Sequence, residues 1–322
     1  MNTMKWLLRR EFWEHKGSFF WAPLAVAAAM ILFIGGGFLY SMAFGGPQNI
    51  QFDGQTVVSF QGFPPALRYK IANIAATSYL GVAAPLFLVL SVVVFFYCLS
   101  ALHDDRRDRS ILFWKSLPLS ERDTVLSKVI TALCVAPMIT IAIAVATGLL
   151  LLVLGMIGIS SKGLNLFAPV LSHPGLYLSP LYLLAFLPLY ILWALPTVGW
   201  LLMVSSWARS KVFLWAVGTP LIVLMLLTWF NFLVGQFSSS IIDIDFFAEQ
   251  VILRGLGGLT PGVWLSEIDG SRFTGMDQGL DAMLVLGESY RTLASPGVWV
   301  GAVLGSAMIY AAMRLRRYRD EG

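Results

Sequence analysis

Charge is what this 322-residue sequence has least of. Asp, Glu, Lys and Arg make up 12 % of it and hydrophobic residues 57 %, where a soluble globular domain carries about 25 % charged residues. With a mean hydropathy of +0.76, the composition excludes a soluble domain and points to an integral membrane protein. Cysteine is nearly absent: Cys98 and Cys134 both lie in apolar runs, which excludes a disulfide framework or a cysteine metal site and makes both small core residues. The three histidines, His15, His103 and His173, are far apart, with no H-E-x-x-H helix and no carboxylate at a metal-ligand spacing, so they read as surface residues. No G-x-x-x-x-G-K-[ST] cradle for phosphates is present, and no G-x-S-x-G elbow for a nucleophilic serine. No catalytic site is expected in this chain, and energy for any work must come from a partner.

What is there is a set of long apolar runs. Six spans are expected, at about 19–42, 72–102, 129–159, 177–207, 212–235 and 295–313, several of them longer than the roughly 20 residues that cross a bilayer. None contains Asp, Glu, Lys or Arg in these bounds. That disfavours an ion-coupled transporter, which builds its relay from buried carboxylates and bases, although ion sites made from backbone at broken helices stay open. An even number of spans puts both termini on one side.

The basic residues sort themselves by side. Sixteen of the 22 Lys and Arg residues fall in 1–18, 102–128, 207–211 and 314–322, and six in the other three connections. By the positive-inside rule both termini and the 102–128 stretch are cytoplasmic. The net charge of +4 and pI near 9.1 therefore reflect topology. Nucleic-acid binding is not expected, and the short basic tail after Met313 reads as a membrane anchor. Residues 1–18 set Trp6, Leu7, Phe12 and Trp13 among Lys5, Arg9, Arg10 and Lys16, the pattern of an interfacial amphipathic helix leading into span 1. A signal peptide is the alternative, but the following run has spanning length and no good cleavage site.

The stretch 102–128, LHDDRRDRSILFWKSLPLSERDTVLSK, is too charged for hydrocarbon and too short for a domain. It holds Arg106, Arg107, Arg109, Lys115, Arg122 and Lys128 around an apolar insert, Ile111-Leu112-Phe113-Trp114. A short surface helix would hide the insert and keep the arginines wet. Leu117-Pro118 stops it, since the residue before proline is pushed out of the α region. Ser120 then caps a second helix, with Asp123 three residues on, and that helix runs on into the apolar run from Val129. Two readings follow: a solvated loop obeying charge bias, or a rigid elbow that something in the cytosol pushes on.

On the other side, 43–71 is read as an irregular lid, 160–176 as a turn region, and 236–294 as a long acidic connection. The last carries a short surface helix around Phe246–Leu256 and a second helix over 280–293, feeding span 6 after Ser295-Pro296. Pro23, Pro85, Pro137, Pro188, Pro196 and Pro220 lie in or beside the first five spans, where an interior proline removes an i→i−4 bond and kinks its helix. Gly297, Gly301 and Gly305 put two overlapping G-x-x-x-G steps on span 6, a flat face for a neighbouring helix of this subunit or another. Gly35-Gly36-Gly37 is similar near the far end of span 1.

Taken together, KWLLRREFWEHKGSFF at the start, SILFWKSLPLSERDTVLSK in the elbow and TPGVWLSE at Thr260–Glu267 resemble the permease subunit of ABC-2 type exporters. The resemblance covers nearly the whole chain through loose motifs, the SLP followed by S-x-x-D and a lysine being the most distinctive. The longer connection at 236–294 departs from the smaller family members. The implied fold is an all-α integral membrane protein with six transmembrane helices, an N-terminal interfacial amphipathic helix, a cytoplasmic coupling helix between spans 2 and 3, and short outer-surface helices before span 6.

The resemblance further implies a single permease domain in a bacterial inner membrane, forming the translocation path. Its expected partners are a cytosolic ABC ATPase dimer that binds the ATP and Mg, a second permease subunit, identical in a homodimer or different in a heterodimer, and membrane lipids. No cofactor is expected in this chain. The residues expected to receive the power stroke are Arg106, Arg107, Arg109, Ile111, Phe113, Trp114, Lys115, Leu117, Pro118 and Ser120. A non-transporting scaffold or sensor that docks a partner through the same elbow is the alternative.

Overall fold

In a computed structural model the apolar runs form, among the described residues, six helices long and apolar enough to cross a membrane: Gly17–Tyr40, Arg68–Arg107, Glu121–Ser161, Pro174–Trp207, Leu214–Leu233 and Pro296–Arg316, spans 1 to 6. The structure describes residues 3–44, 50–52, 55–57, 65–107, 120–161, 163–235, 254–268 and 282–318. The protein is a multi-pass, all-α membrane protein. Helix α1, Thr3–Glu14, precedes span 1, and a hairpin pairing Ile50–Phe52 with Gln55–Val57 lies within the stretch expected to be an irregular lid.

Span 2 exceeds its expected bounds at both ends, running from Arg68 to Arg107. Span 2 is 40 residues long and span 3 is 41, about 60 Å each at 1.5 Å per residue, twice the thickness of the hydrocarbon core. The helix that ends span 2 carries Asp104, Asp105, Arg106 and Arg107, residues assigned above to the elbow. Basic residues in a last turn complement the helix dipole, so the charges extend the helix instead of ending it. Span 3 starts as expected: Ser120 is extended (φ −81, ψ 142) and its Oγ accepts from the Asp123 amide at 3.0 Å.

Prolines shape the spans in a repeated way. A wide π-turn stands just ahead of Pro23, Pro137 and Pro220, at Gly17–Trp21, Thr131–Val135 and Leu214–Gly218. Each proline strips the carbonyl four residues back of its N–H partner, and the wide turn gives that carbonyl room. Side chains answer the carbonyl freed by Pro220 and one freed by a further proline inside span 4, Pro180. Trp200 Nε1 donates to Ala216 O, four residues before Pro220, at 2.9 Å. Tyr79 Oη donates to Leu176 O, four before Pro180, at 3.0 Å.

The main core lies between spans 2, 3, 4 and 6, around Leu90, Val94, Cys98, Ala132, Trp193, Leu201 and Val298. Spans 4 and 6 form the closest crossing. A Cβ on Gly305 would stand 2.6 Å from Leu195 O, one on Gly301 would be 3.2 Å from Pro196 Cγ, and one on Gly199 would collide with the Gly305 carbonyl. The glycine face of span 6 therefore packs within the subunit, with Gly199 as its counterpart. On span 1 only Gly35 meets a neighbour, Leu154 of span 3. Spans 1 and 5 are peripheral and present Phe33, Met225 and Phe232 outward.

The connection before span 6 folds inward. The 246–253 part of the expected surface helix lies outside the described residues, but 254–268 is tucked among the spans, with Leu259 and Trp264 buried. Ser91 Oγ, well inside span 2, donates to Leu259 O at 3.0 Å, and Thr197 Oγ1 of span 4 donates to Arg254 O at 3.1 Å. Gly258 is required here, because a Cβ would strike Trp193 O. Its apolar residues find a better home against Trp193 and Phe186 than in water, which draws the segment in.

Candidate functional site

At the elbow end of the bundle the helices are joined by charge. Glu11 of α1 is fully buried, and Asp105, Lys128 and Arg316 are each at least nine-tenths buried. Lys128 Nζ lies 3.1 Å from Glu11 Oε1 and 3.5 Å from Asp105 Oδ2. Tyr97 Oη donates to Glu11 Oε2 at 2.8 Å. Arg316 Nη1 donates to Asp105 Oδ2 at 3.1 Å, and Arg316 Nε stands 2.7 Å from Glu121 Oε2. The last contact is a charge pair more than a hydrogen bond, because that N–H does not point at the oxygen.

Glu11, Asp105, Lys128 and Arg316 each continue an apolar stripe into the charged end of their helix. Cys98, Leu102 and Asp105 share one face of span 2, as do Val125, Lys128 and Ala132 on span 3, Ile309, Ala312 and Arg316 on span 6, and Leu7 and Glu11 on α1. Core packing thus carries the charged side chains inward, where they must pair. Removing an ion from water costs several kcal/mol, and only a partner with good geometry returns it. Among the described residues three carboxylates, Glu11, Asp105 and Glu121, meet two cations, Lys128 and Arg316.

His15 borders the set. It was expected on the surface but is half-buried, its ring 4.9 Å from that of Tyr97 and 6.1 Å from that of Phe19. Burial lowers its pKa below the usual histidine value, with Lys128 acting in the same direction and Glu11, Glu14 and Asp105 opposing.

Span 4 is clamped to the same region. Ser205 Oγ accepts from the Leu102 and His103 amides at 3.1 and 3.0 Å. Arg106 donates to the carbonyls of Ser205 and Ala208, the latter at 3.0 Å.

Of the expected coupling residues, Arg106 is thus engaged with span 4, Arg107 is exposed at the end of its helix, and Ser120 caps span 3. Arg109, Ile111, Phe113, Trp114, Lys115, Leu117 and Pro118 lie outside the described residues. Gly301 and Gly305 face span 4, and Gly297 faces Arg254. Among the described residues no group of His, Cys, Asp and Glu is placed to hold a metal ion. Cys98 is buried and Cys134 half-buried, both as free thiols.

Comparison with protein families, with curated proteins and with solved structures finds no match to this chain. The functional reading therefore rests on the geometry and on the motifs quoted above.

Sequence reasoning missed Glu11, Asp105, Glu121, Lys128 and Arg316 as a set because they come from four separate segments. A signal was present in each segment: a charged residue in helical register with an apolar stripe.

Proposed function

We propose that the chain is the permease subunit of an ATP-driven ABC exporter, with the 102–128 elbow receiving force from a cytosolic ATPase dimer that binds ATP and Mg. The observation that carries this reading is the Arg316 fork. Asp105 stands near the start of the elbow and Glu121 in its second half, and both pair with one guanidinium at the end of span 6. Any displacement of the elbow pulls on both its roots, and through Arg316 on the last span. Lys128 and Glu11 extend the linkage to span 3 and α1, and Ser205 with Arg106 extends it to span 4. A mere loop needs no such anchorage.

In this reading both termini are cytoplasmic, in a bacterial inner membrane, and α1 lies in the interface with Trp6 and Trp13 turned outward. A second permease subunit completes the path. Here Ile111, Phe113 and Trp114 are assigned as the apolar anchor for the ATPase and Arg106, Arg107 and Arg109 as its charged rim, a composition that concentrates binding energy at a small contact.

The test is affinity purification of the tagged protein from its native membrane. A P-loop ATPase should accompany the wild type and be lost from Phe113→Asp and Trp114→Asp, since an unpaired carboxylate buried at such a contact costs on the order of 3 kcal/mol or more, at least a hundredfold in affinity. Equal retention by both variants would remove the elbow from the mechanism. Retention of some other cytosolic partner in place of an ATPase would favour the scaffold.

A further inference from the structure

At the opposite side of the spans 4–6 crossing from the core is a cleft of about 700 Å³, open on one side and bounded by spans 4, 5 and 6. Pro196, Trp200, Pro220, Val223, Leu304 and Met308 make its wall almost wholly apolar. Its size is that of a small-molecule site. One end differs. There Arg254 enters from the inward-folded segment, nine-tenths buried, with its guanidinium 5.1 Å from the ring centre of Trp193. Gly297 leaves the room that the guanidinium occupies, since a Cβ on it would run into Arg254 Nη1.

A second positive element converges on the same end. Span 6 begins at Pro296, and Ser295 and Gly297 line the cleft. The Gly297 amide and the positive end of the dipole of that 23-residue helix are thus beside Arg254, Pro296 having no N–H and the Val298 amide donating to Ser295 O. From Gly297 to Met308 the cleft follows span 6 for about 17 Å at 1.5 Å per residue. Burying a charge among apolar spans is costly, and an arginine carried there by a segment between spans marks a binding site more readily than a packing accident.

We infer that this cleft binds a single-chain anionic amphiphile drawn from the bilayer, its carboxylate or phosphate head at Arg254 and the start of span 6, its chain along Leu304, Met308 and Pro220. Charge complementarity fixes the head, and the apolar channel fixes the tail. Arg254 has contacts of its own, which the head group joins or displaces. Binding here requires no ATPase, so the inference stands or falls apart from the export reading.

The experiment is native mass spectrometry of the purified protein in a neutral detergent, titrated with lysophosphatidate, lysophosphatidylcholine of the same chain length, and glycerol 3-phosphate. Lysophosphatidate should bind best, the zwitterionic lipid about tenfold more weakly or worse, and the chainless phosphate not measurably, because a charge-assisted contact is worth at least that factor. Arg254→Gln should remove the preference for lysophosphatidate while leaving weak binding of both lipids. That substitution also disturbs the packing on Trp193, so Leu304→Trp supplies an independent arm: it leaves Arg254 in place, fills the open side and should reduce binding of both lipids. Equal affinity of the wild type for the two lipids would overturn the inference. So would an undiminished preference in Arg254→Gln, unchanged binding by Leu304→Trp, or glycerol 3-phosphate binding as tightly as the lipid.

Discussion

Arg316 Nη1 is 3.1 Å from Asp105 Oδ2 while its Nε is 2.7 Å from Glu121 Oε2, so a single side chain of the last span holds the helices on both sides of the elbow. Arg316→Ala would leave two carboxylates close together without their shared cation. Breaking a buried ion pair from one side costs about 3–5 kcal/mol. A marked fall in melting temperature in detergent is expected, larger than for Arg314→Ala, whose side chain is engaged with Tyr310 at the exposed surface.

The spans 4–6 crossing should be most sensitive at Gly305. A methyl group there meets the Leu195 backbone at 2.6 Å, which cannot yield, whereas at Gly301 it meets only the Pro196 ring at 3.2 Å. Gly305→Ala should therefore cost about 1–3 kcal/mol or more and Gly301→Ala less, with Gly301→Leu disruptive. Thermal melting of the variants side by side checks the order; Gly301→Ala as damaging as Gly305→Ala would contradict it.

Trp200 should depend on Pro220. Trp200→Phe deprives Ala216 O of its donor, leaving an unsatisfied buried acceptor at about 1–3 kcal/mol. Pro220→Ala restores an amide that reaches the same carbonyl, so the double variant should recover part of the loss. Strictly additive melting shifts would show that the indole acts by packing alone.

Acidification should weaken the elbow end through His15. Its pKa in the folded protein is lowered by burial, so the unfolded chain binds the proton more readily, and stability falls as pH drops from the unfolded histidine value of about 6.5 toward the lowered one. Melting temperatures between pH 8 and pH 5 should decline more steeply for wild type than for His15→Gln. Parallel curves would remove His15 as the source.

How much of this could be read from the chain follows from what each signal measures. Hydropathy averages over many residues, so the six spans and the Ser120 helix start were legible. The end of span 2 was not, because Asp105 and Arg106 look like loop residues until Arg316 and the Ser205 carbonyl are brought against them from far along the sequence. The apolar residues of 254–268 were visible, but not that Ser91, Trp193 and Thr197 would offer them a buried groove. The glycine face of span 6 was evident; its partner was not, since Gly199 and Pro196 gain meaning only when two helices cross.

The central claim is that the Arg316 fork passes motion from elbow to membrane, and one measurement tests it without knowledge of cargo. The variant Asp105→Asn, Glu121→Gln, Arg316→Met removes the fork while Lys128 keeps Glu11 as its partner, so it should fold and, on the proposed reading, still bind an ATPase. Both proteins would carry an environment-sensitive label through Val303→Cys, an exposed position on span 6, and be reconstituted with the ATPase that the proposed function expects to co-purify. On vanadate trapping the wild-type label should change its signal and the triple variant's should not, although both bind and hydrolyse ATP. An equal change in the two would contradict the account.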